Sequence, residues 1–224
     1  LVLLVLGGGG LCAQPAHTCE YGKFKAGQTV RLYGDNVNIR DAPGEVGQVI
    51  ATLPVGTPLV ILGGTVVLFE LEGVRDKWYQ VTFQQQGRTR EGYVWGGLLA
   101  RAVVELSGPG GNLLLLMGIN GKGSLDKTAE VRLVRAGKII AKLEFVPIFL
   151  GINDSKEFGY STLGAVFPAA FTPPLVLVSL KFEYGACDYP NGEVVVGWDG
   201  KRLFEAFRAV GSSNEQGSVQ YAVF

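Results

Sequence analysis

The sequence DNVNIRDAPGEVGQVIATLPVGTPLVIL, at residues 35–62, alternates between short apolar segments and turns. Apolar and polar residues alternate with a period of two at 37–40, 49–53 and 57–62, which predicts short strands with one buried face. The Asp-Ala-Pro-Gly cluster at 41–44 and the Pro-Val-Gly cluster at 54–56 predict the turns between them. The stretch therefore indicates the first strands of a small antiparallel sheet.

The same pattern continues on both sides of this stretch. Further strands are predicted at 29–33, 78–83 and 92–99, with a polar hairpin tip at 87–90. Five or so short strands in about 70 residues are typical of a small barrel, which hides most of its sheet edges.

Four elements resemble a known family in the order in which they occur. These elements are Val37-Asn38-Ile39-Arg40 before a Pro-Gly turn, Leu53-Pro54-Val55-Gly56, Trp78-Tyr79-Gln80-Val81 and Gly92-Tyr93-Val94-Trp95. Together they resemble the bacterial SH3-like (SH3b) domain, and the resemblance covers residues 28–101. The segment 63–76, GGTVVLFELEGVRD, is longer and more apolar than a minimal loop of that family, and we expect it to extend a strand pair.

The resemblance implies a binding function. Domains of this type are usually exported and often accompany cell-wall enzymes, where they contact peptidoglycan or its peptides. Such a ligand needs an aromatic, partly polar groove, because rings stack on sugars or prolines and Arg can hold a carboxylate bidentately. The predicted ligand-binding residues are Asn38, Arg40, Asp41, Trp78, Tyr79, Tyr93 and Trp95, with Tyr33 as a further available ring. In the alternative interpretation, half of the rings face the core and Arg40 bonds internally to a turn or a carboxylate.

The sequence pattern also predicts strands throughout the second half of the chain, residues 102–224. Its motifs identify no family beyond a loose likeness to uncharacterised exported β-domains. Predicted strands lie at 103–106, 113–119, 128–136, 139–150, 174–184, 192–198, 201–207 and 218–224. The continuous apolar run at 113–119 predicts a strand buried on both faces. Asp199-Gly200 predicts a two-residue type I′ hairpin turn, although residues 201–210 also have the apolar spacing of an amphipathic helix. The predicted fold class is all-β, with the small barrel followed by a β-sandwich or flattened barrel.

The N-terminus predicts an exported protein. Residues 1–13 indicate the end of a secretory signal peptide that is truncated at its start, and residues 14–27 a connecting arm. The chain ends at Phe224 within a predicted strand, which suggests truncation there too. After cleavage two thiols remain, Cys19 and Cys187, and they form a possible disulfide in an oxidising periplasmic or extracellular compartment.

The residue content argues against most catalytic chemistry. The only histidine, His17, lies beside the cleavage site, so Cys187 has no His base and a Ser-His-Asp triad cannot form. The glycine-rich segments at 108–111 and 118–123 lack the Gly-Lys-Ser/Thr of a phosphate loop, and no clustered metal ligands occur. No cofactor and no metal are therefore predicted. Carboxylates for a glycosidase remain formally available at Glu183, Asp188, Glu193 and Asp199.

The charge balance argues against two classes of partner. Twenty Lys and Arg residues balance twenty Asp and Glu residues, so no nucleic-acid or anionic-membrane partner is indicated. No apolar run is long enough for a transmembrane segment in the mature chain. The sequence thus predicts a non-catalytic secreted module that recognises peptidoglycan or a peptide of the cell envelope. The alternatives are a structural protein that holds an envelope complex together through protein partners and, third, a carboxylate-dependent glycosidase.

Overall fold

The computed structural model describes the backbone of residues 12–13, 24–107, 112–121, 127–145, 158–166, 176–184, 190–214 and 217–223. These residues form sixteen strands: β1 Cys12–Ala13, β2 Thr29–Arg31, β3 Val37–Arg40, β4 Val49–Leu53, β5 Pro58–Leu71, β6 Val74–Gln85, β7 Arg88–Trp95, β8 Ala102–Ser107, β9 Leu113–Gly121, β10 Lys127–Arg135, β11 Lys138–Phe145, β12 Phe158–Val166, β13 Val176–Tyr184, β14 Pro190–Trp198, β15 Leu203–Asn214 and β16 Gly217–Val223. The only helical element in the described part is a single 3-10 turn at Gly96–Leu98. The fold is all-β, as the alternation predicts.

The first unit is a curled six-stranded sheet with the order β2-β5-β6-β7-β3-β4. We call it the barrel sheet. Its concave side holds a core of alternate residues from every strand, among them Ile39, Leu53 and Val81, each at most 6% exposed. The alternating pattern therefore places one set of side chains inside and the other set on the convex side.

The long apolar segment at 63–76 extends a strand pair, as predicted. β5 and β6 continue past the barrel and end at Leu71 opposite Val74. Glu72 and Gly73 form the turn with φ angles of 50° and 75°, so both central residues are in the left-handed region that a two-residue type I′ hairpin requires. On the partner strand β6, Trp78 lies opposite a bulge at residues 65–67, where β5 carries extra residues.

The second half, together with β1 from the N-terminus, forms two five-stranded antiparallel sheets, each with its strands in sequence order. The inner sheet is β1-β8-β9-β10-β11, and the outer sheet is β12-β13-β14-β15-β16. Leu115, Met117 and Val131 of the inner sheet share one apolar core with Val194 and Val196 of the outer sheet. This is face-to-face packing of a β-sandwich.

The inner sheet is covered on both faces, which explains the continuous apolar run at its centre. Alternate residues of β9 face the sandwich core, while Leu116 packs with Val103 and Val134 on the opposite face. Tyr33 and Val55 of the barrel unit cover that opposite face. The prediction of a strand buried on both faces is confirmed, and the described parts of the chain stack as three layers.

Two predictions for the sandwich are decided by backbone geometry. Residues 203–214 form a strand, so the helical alternative for 201–210 is wrong. The predicted two-residue turn at Asp199-Gly200 is also wrong, because Trp198 pairs with Leu203 and four residues connect the strands. The carboxylate of Asp199 accepts the backbone N–H groups of Lys201 and Arg202, both at 2.8 Å, and this Asx-type bonding stabilises the longer loop. Strand β12 has no counterpart among the sequence-based predictions.

The predicted signal peptide and arm are described only in part. The backbone of Cys12 and Ala13 pairs with Ser107 and Leu106 at the edge of the inner sheet. Phe24, at the end of the predicted arm, is buried in the barrel core. Residues 1–11 and 14–23, including Cys19, lie outside the described residues, as does Cys187.

Candidate ligand-binding face

The convex side of the barrel sheet gathers the polar residues that the sequence singles out. Strands β3 and β7 pair antiparallel with Arg40 opposite Tyr93, and β7 pairs with β6 so that Tyr93 lies opposite Gln80. Asn38 lies two residues before Arg40 and is exposed on the same side. We call Asn38, Arg40, Gln80 and Tyr93 the open face.

Arg40 is the cation of the open face. Its Nη1 donates to the carbonyl of Gly47 at 2.6 Å, which fixes the half-buried guanidinium against the 41–48 loop. This internal bond to a turn is the alternative that the sequence left open. Among the described residues no carboxylate pairs with Arg40, so the charge is not neutralised by this part of the chain. A positioned guanidinium with donors to spare suits a carboxylate.

The neighbours of Arg40 are polar groups with their own local bonds. The Asn38 amide oxygen accepts the hydroxyl of Thr52 at 2.9 Å. Asp41 is exposed and accepts the backbone N–H of Gln48 at 2.8 Å, so it closes the 41–48 loop. Its predicted role in ligand contact stays a prediction, whereas its role in shaping the loop is visible.

Three of the predicted ligand-contacting rings are buried. Tyr79 is 1% exposed in the barrel core, edge-to-face with Phe24 at 5.3 Å. Trp78 and Trp95 are each 5% exposed on the other side of the sheet, where Phe69 of the β5–β6 extension packs on them and they join the sandwich core. These low exposures leave little ring surface for a ligand, although Trp95 borders a cleft between the layers. Tyr93, half-buried, is the ring that remains on the open face.

Trp95 is held by the junction between the layers. Its Nε1 donates to the carbonyl oxygens of Phe69 and Asp76, each at 3.2 Å. The Asp76 carboxylate pairs with Arg101 at the start of the second half, and both side chains are at most 2% exposed. The guanidinium of Arg101 also lies 5.0 Å from the ring centre of Phe24.

A cleft of about 210 Å³ lies at the end of the open face. Its walls come from the turn after Tyr33, the tip of the β5–β6 hairpin, the 3-10 turn and the end of β9. The described carboxylates on it are Asp35 and Glu72, both exposed. No local sequence pattern indicates this cleft, because its lining residues lie up to about a hundred residues apart and meet only through the packing of the layers.

Tyr33 lies at one side of this cleft with a network of its own. Its hydroxyl donates to Glu130 at 2.9 Å, and Arg132 donates to Glu130 at 2.6 Å while lying 3.9 Å from the Tyr33 ring centre. Burial raises the pKa of Tyr33. Burial alone would raise the pKa of Glu130 as well, but the hydrogen bonds from Arg132 and Tyr33 hold that pKa below its ordinary value. The Glu130 carboxylate therefore stays ionised and neutralises Arg132.

A second cavity, of about 360 Å³, lies between the 54–57 turn of the barrel unit and the β10–β11 turn. Its charged groups are Arg31 and Glu105, which pair with each other at 2.5 Å. Arg31 also donates to the carbonyl of Gly56 at 2.9 Å. These bonds satisfy the charged lining internally, so the cavity offers less to a polar ligand than the open face.

Two of the four carboxylates considered for a glycosidase, Glu193 and Asp199, lie on described residues, and they are too far apart to form a catalytic pair. Glu193 accepts the hydroxyl of Ser179, while Asp199 lies six residues further along β14 and its loop. At about 3.3 Å per residue the two are roughly 20 Å apart, whereas glycosidases place their carboxylates within about 10 Å. Bonds from the backbone N–H groups of Arg202 and Lys201 lower the pKa of Asp199. The side chains of Glu183 and Asp188 lie outside the described residues.

Comparison with known proteins defines the class of the first unit. An SH3-like barrel with a polar convex face is a binding scaffold, and residues 35–100 match the family described as the bacterial SH3 domain. This segment is a bacterial SH3 domain, a module typical of exported proteins that bind cell-wall components. No curated protein and no solved structure matches the chain. In the part of the chain that the structure describes, no helix is long and apolar enough to cross a membrane.

Proposed function

We propose that the protein is a non-catalytic, exported binding module that recognises the peptide portion of peptidoglycan or a related envelope peptide through the open face. The observation that carries the proposal is Arg40, a guanidinium fixed by Gly47 and unpaired with any carboxylate of the described chain. Buried charges are normally paired, and the side chain of Arg40 is partly shielded from solvent. Arg40 thus offers its remaining donors to a carboxylate from outside the chain.

The other residues of the open face suit an extended peptide. Tyr93 is a half-buried ring beside Arg40, and Asn38 and Gln80 carry amide groups that can bond a peptide backbone. Such a face provides one cation, one aromatic contact and polar groups for orientation, which is the usual division of roles in a ligand site. The exposed carboxylate of Glu91 lies beside it and accepts the Gln80 amide N–H at 3.4 Å.

The test is co-sedimentation of the chain with purified peptidoglycan sacculi. The wild type is expected to pellet with sacculi, and Arg40→Ala to weaken binding about 10-fold, because a charge-assisted hydrogen bond contributes roughly 1.5 kcal/mol. Arg88→Ala is the matched control, since Arg88 is an exposed arginine at the far tip of the β6–β7 hairpin. Equal pelleting of the two folded variants, or a wild type that stays in the supernatant, would contradict the proposal.

A second candidate function, assembly of an envelope complex, is favoured by one observation. Strand β2 pairs only with the first residues of β5, at positions 58–60. The rest of β5 carries five exposed apolar side chains: Leu62, Val66, Val67, Leu68 and Leu71. A long apolar edge strand is a template for pairing with another chain. A stable oligomer that Val66→Asp dissociates, measured by light scattering, would favour this candidate over a purely monomeric binding module.

A further inference from the structure

We propose that the cleft beside Asp35 and Glu72 binds an aliphatic primary amine, such as a lysine-type side chain, of the same peptide whose carboxylate pairs with Arg40. This inference rests on the proposed function. It specifies the chemical class of the ligand and the orientation in which the ligand lies on the open face. The ligand would be dipolar, with its carboxylate at Arg40 and its amine at the other end of the open face.

The open face leads into the cleft. From the pairing of Arg40 with Tyr93, antiparallel geometry brings the chain before β3 towards the end of β7. Trp95 and Gly97 of that end, and Asp35 of the preceding turn, all border the cleft. Arg40 lies four residues after Asn36, which belongs to the turn before β3. Four residues of extended strand span about 13 Å, and a bound peptide of about four residues covers the same distance.

The cleft has an apolar floor and an acidic rim. Val74 and Ile119 are 5% and 6% exposed, and Leu98 packs beside them. Asp35 and Glu72 are exposed at the rim, and no cation of the described chain pairs with either. The Oδ1 atom of Asp35 accepts the backbone N–H of Asn36 at 2.9 Å and that of Val55, in the 54–56 turn, at 3.4 Å, which leaves Oδ2 for a ligand.

The one cation among the described residues that line the cleft does not offset these carboxylates. Arg132 borders the cleft but is paired with Glu130 at 2.6 Å and bonded to the carbonyl of Tyr33 at 2.8 Å. Within the described lining, the uncompensated charge is therefore that of Asp35 and Glu72. An ammonium group on an aliphatic stem meets both parts of the lining, because the stem packs on the apolar floor while the charge stays at the wet rim.

The cleft is large enough for this group. A volume of about 210 Å³ equals about seven water molecules at roughly 30 Å³ each. The side chain of lysine has only five heavy atoms beyond its α-carbon, so it fits with room for solvent at the rim.

The test is calorimetric titration of the full chain with two peptides that differ only in the amine. Acetyl-Lys-Ala-Ala-Ala with a free carboxylate is the probe, and the same peptide with norleucine in place of lysine is its control. The lysine peptide is expected to bind about fivefold more tightly, the effect of an ion pair of roughly 1 kcal/mol. Glu72→Gln is expected to remove most of that difference, whereas Glu70→Gln, an exposed carboxylate of β5 outside the cleft, is expected to preserve it.

The outcomes separate this inference from the proposed function. Equal affinities of the two peptides, with binding still weakened by Arg40→Ala, would overturn the amine site and leave the proposed function standing. Failure of both peptides at millimolar concentration, while sacculi still pellet the wild type and not Arg40→Ala, would also overturn only the amine site. If Arg40→Ala changes neither peptide binding nor pelleting, the proposed function fails too.

Discussion

Asp76 and Arg101 show how single residues join the two halves of the chain. Asp76 belongs to the β5–β6 extension and Arg101 to the start of the second half, and their charged groups pair where solvent is excluded. Such a pair gains little over an apolar pair of the same shape, but removing one partner leaves a buried charge.

We therefore expect Arg101→Met to destabilise the protein by about 3–5 kcal/mol, because the carboxylate of Asp76 would remain buried without its cation. Denaturant unfolding monitored by tryptophan fluorescence measures the change, since Trp95 bonds to the carbonyl of Asp76.

The control is the second ion pair across the same junction. Arg31 and Glu105 are partly exposed, with 24% and 43% of their side chains accessible. Arg31→Met is expected to cost roughly 1 kcal/mol or less, because solvent screens such pairs. If both variants lose the same free energy of unfolding, burial does not govern the Asp76–Arg101 pair.

The sequence pattern located the residues of the open face, but it did not show which of the other rings are buried. Asn38, Arg40 and Tyr93 lie on the predicted strands and remain accessible there. Trp78 and Trp95 alternate in the way that exposed residues of a small sheet do, yet the β5–β6 extension and the sandwich cover them. Local alternation cannot show which second layer packs on a face, since that depends on residues far away in the sequence.

At the scale of elements, Gly118 of β9 lets the barrel unit dock on the inner sheet. A Cβ atom at this position would lie 2.3 Å from the Tyr33 ring, so the ring rests directly on the glycine backbone. Arg132 covers the ring from the other direction at 3.9 Å.

Gly118→Ala is expected to destabilise the protein by roughly 1–3 kcal/mol, because a methyl group forces the ring of Tyr33 away from a packed contact. Thermal unfolding checks this against Gly63→Ala, another strand glycine whose added Cβ would meet nothing within 4 Å. A melting temperature of Gly118→Ala equal to that of Gly63→Ala would mean that the ring does not depend on this contact.

Most elements were predictable from the sequence, and the misses have physical reasons. The period-two pattern located β3 and β4 to the residue, and the length and apolar content of segment 63–76 predicted the extension of the β5–β6 pair. The Asp199-Gly200 turn was mispredicted because the Asp199 side chain bonds to two backbone N–H groups and stabilises a longer loop. Turn length therefore depended on a side-chain bond that the dipeptide signal alone does not specify.

At the scale of the whole molecule, the bacterial SH3 unit is not an isolated module on a tether. The β5–β6 extension contributes Val74, Trp78 and Phe69 to the sandwich core, and the inner sheet is apolar on both faces because the barrel unit covers one of them. This packing leaves the open face accessible and forms the cleft at its end from both halves of the chain.

The proposed function requires that the open face is the binding surface and that the sandwich positions it. The most direct measurement is NMR chemical-shift mapping of the full chain titrated with soluble peptidoglycan fragments. We expect the shifts to concentrate on the backbone amides of β3, β7 and the 41–48 loop, and to leave the outer sheet unchanged. Shifts centred on the outer sheet or on the edge of β5, with β3 and β7 unaffected, would contradict the claim.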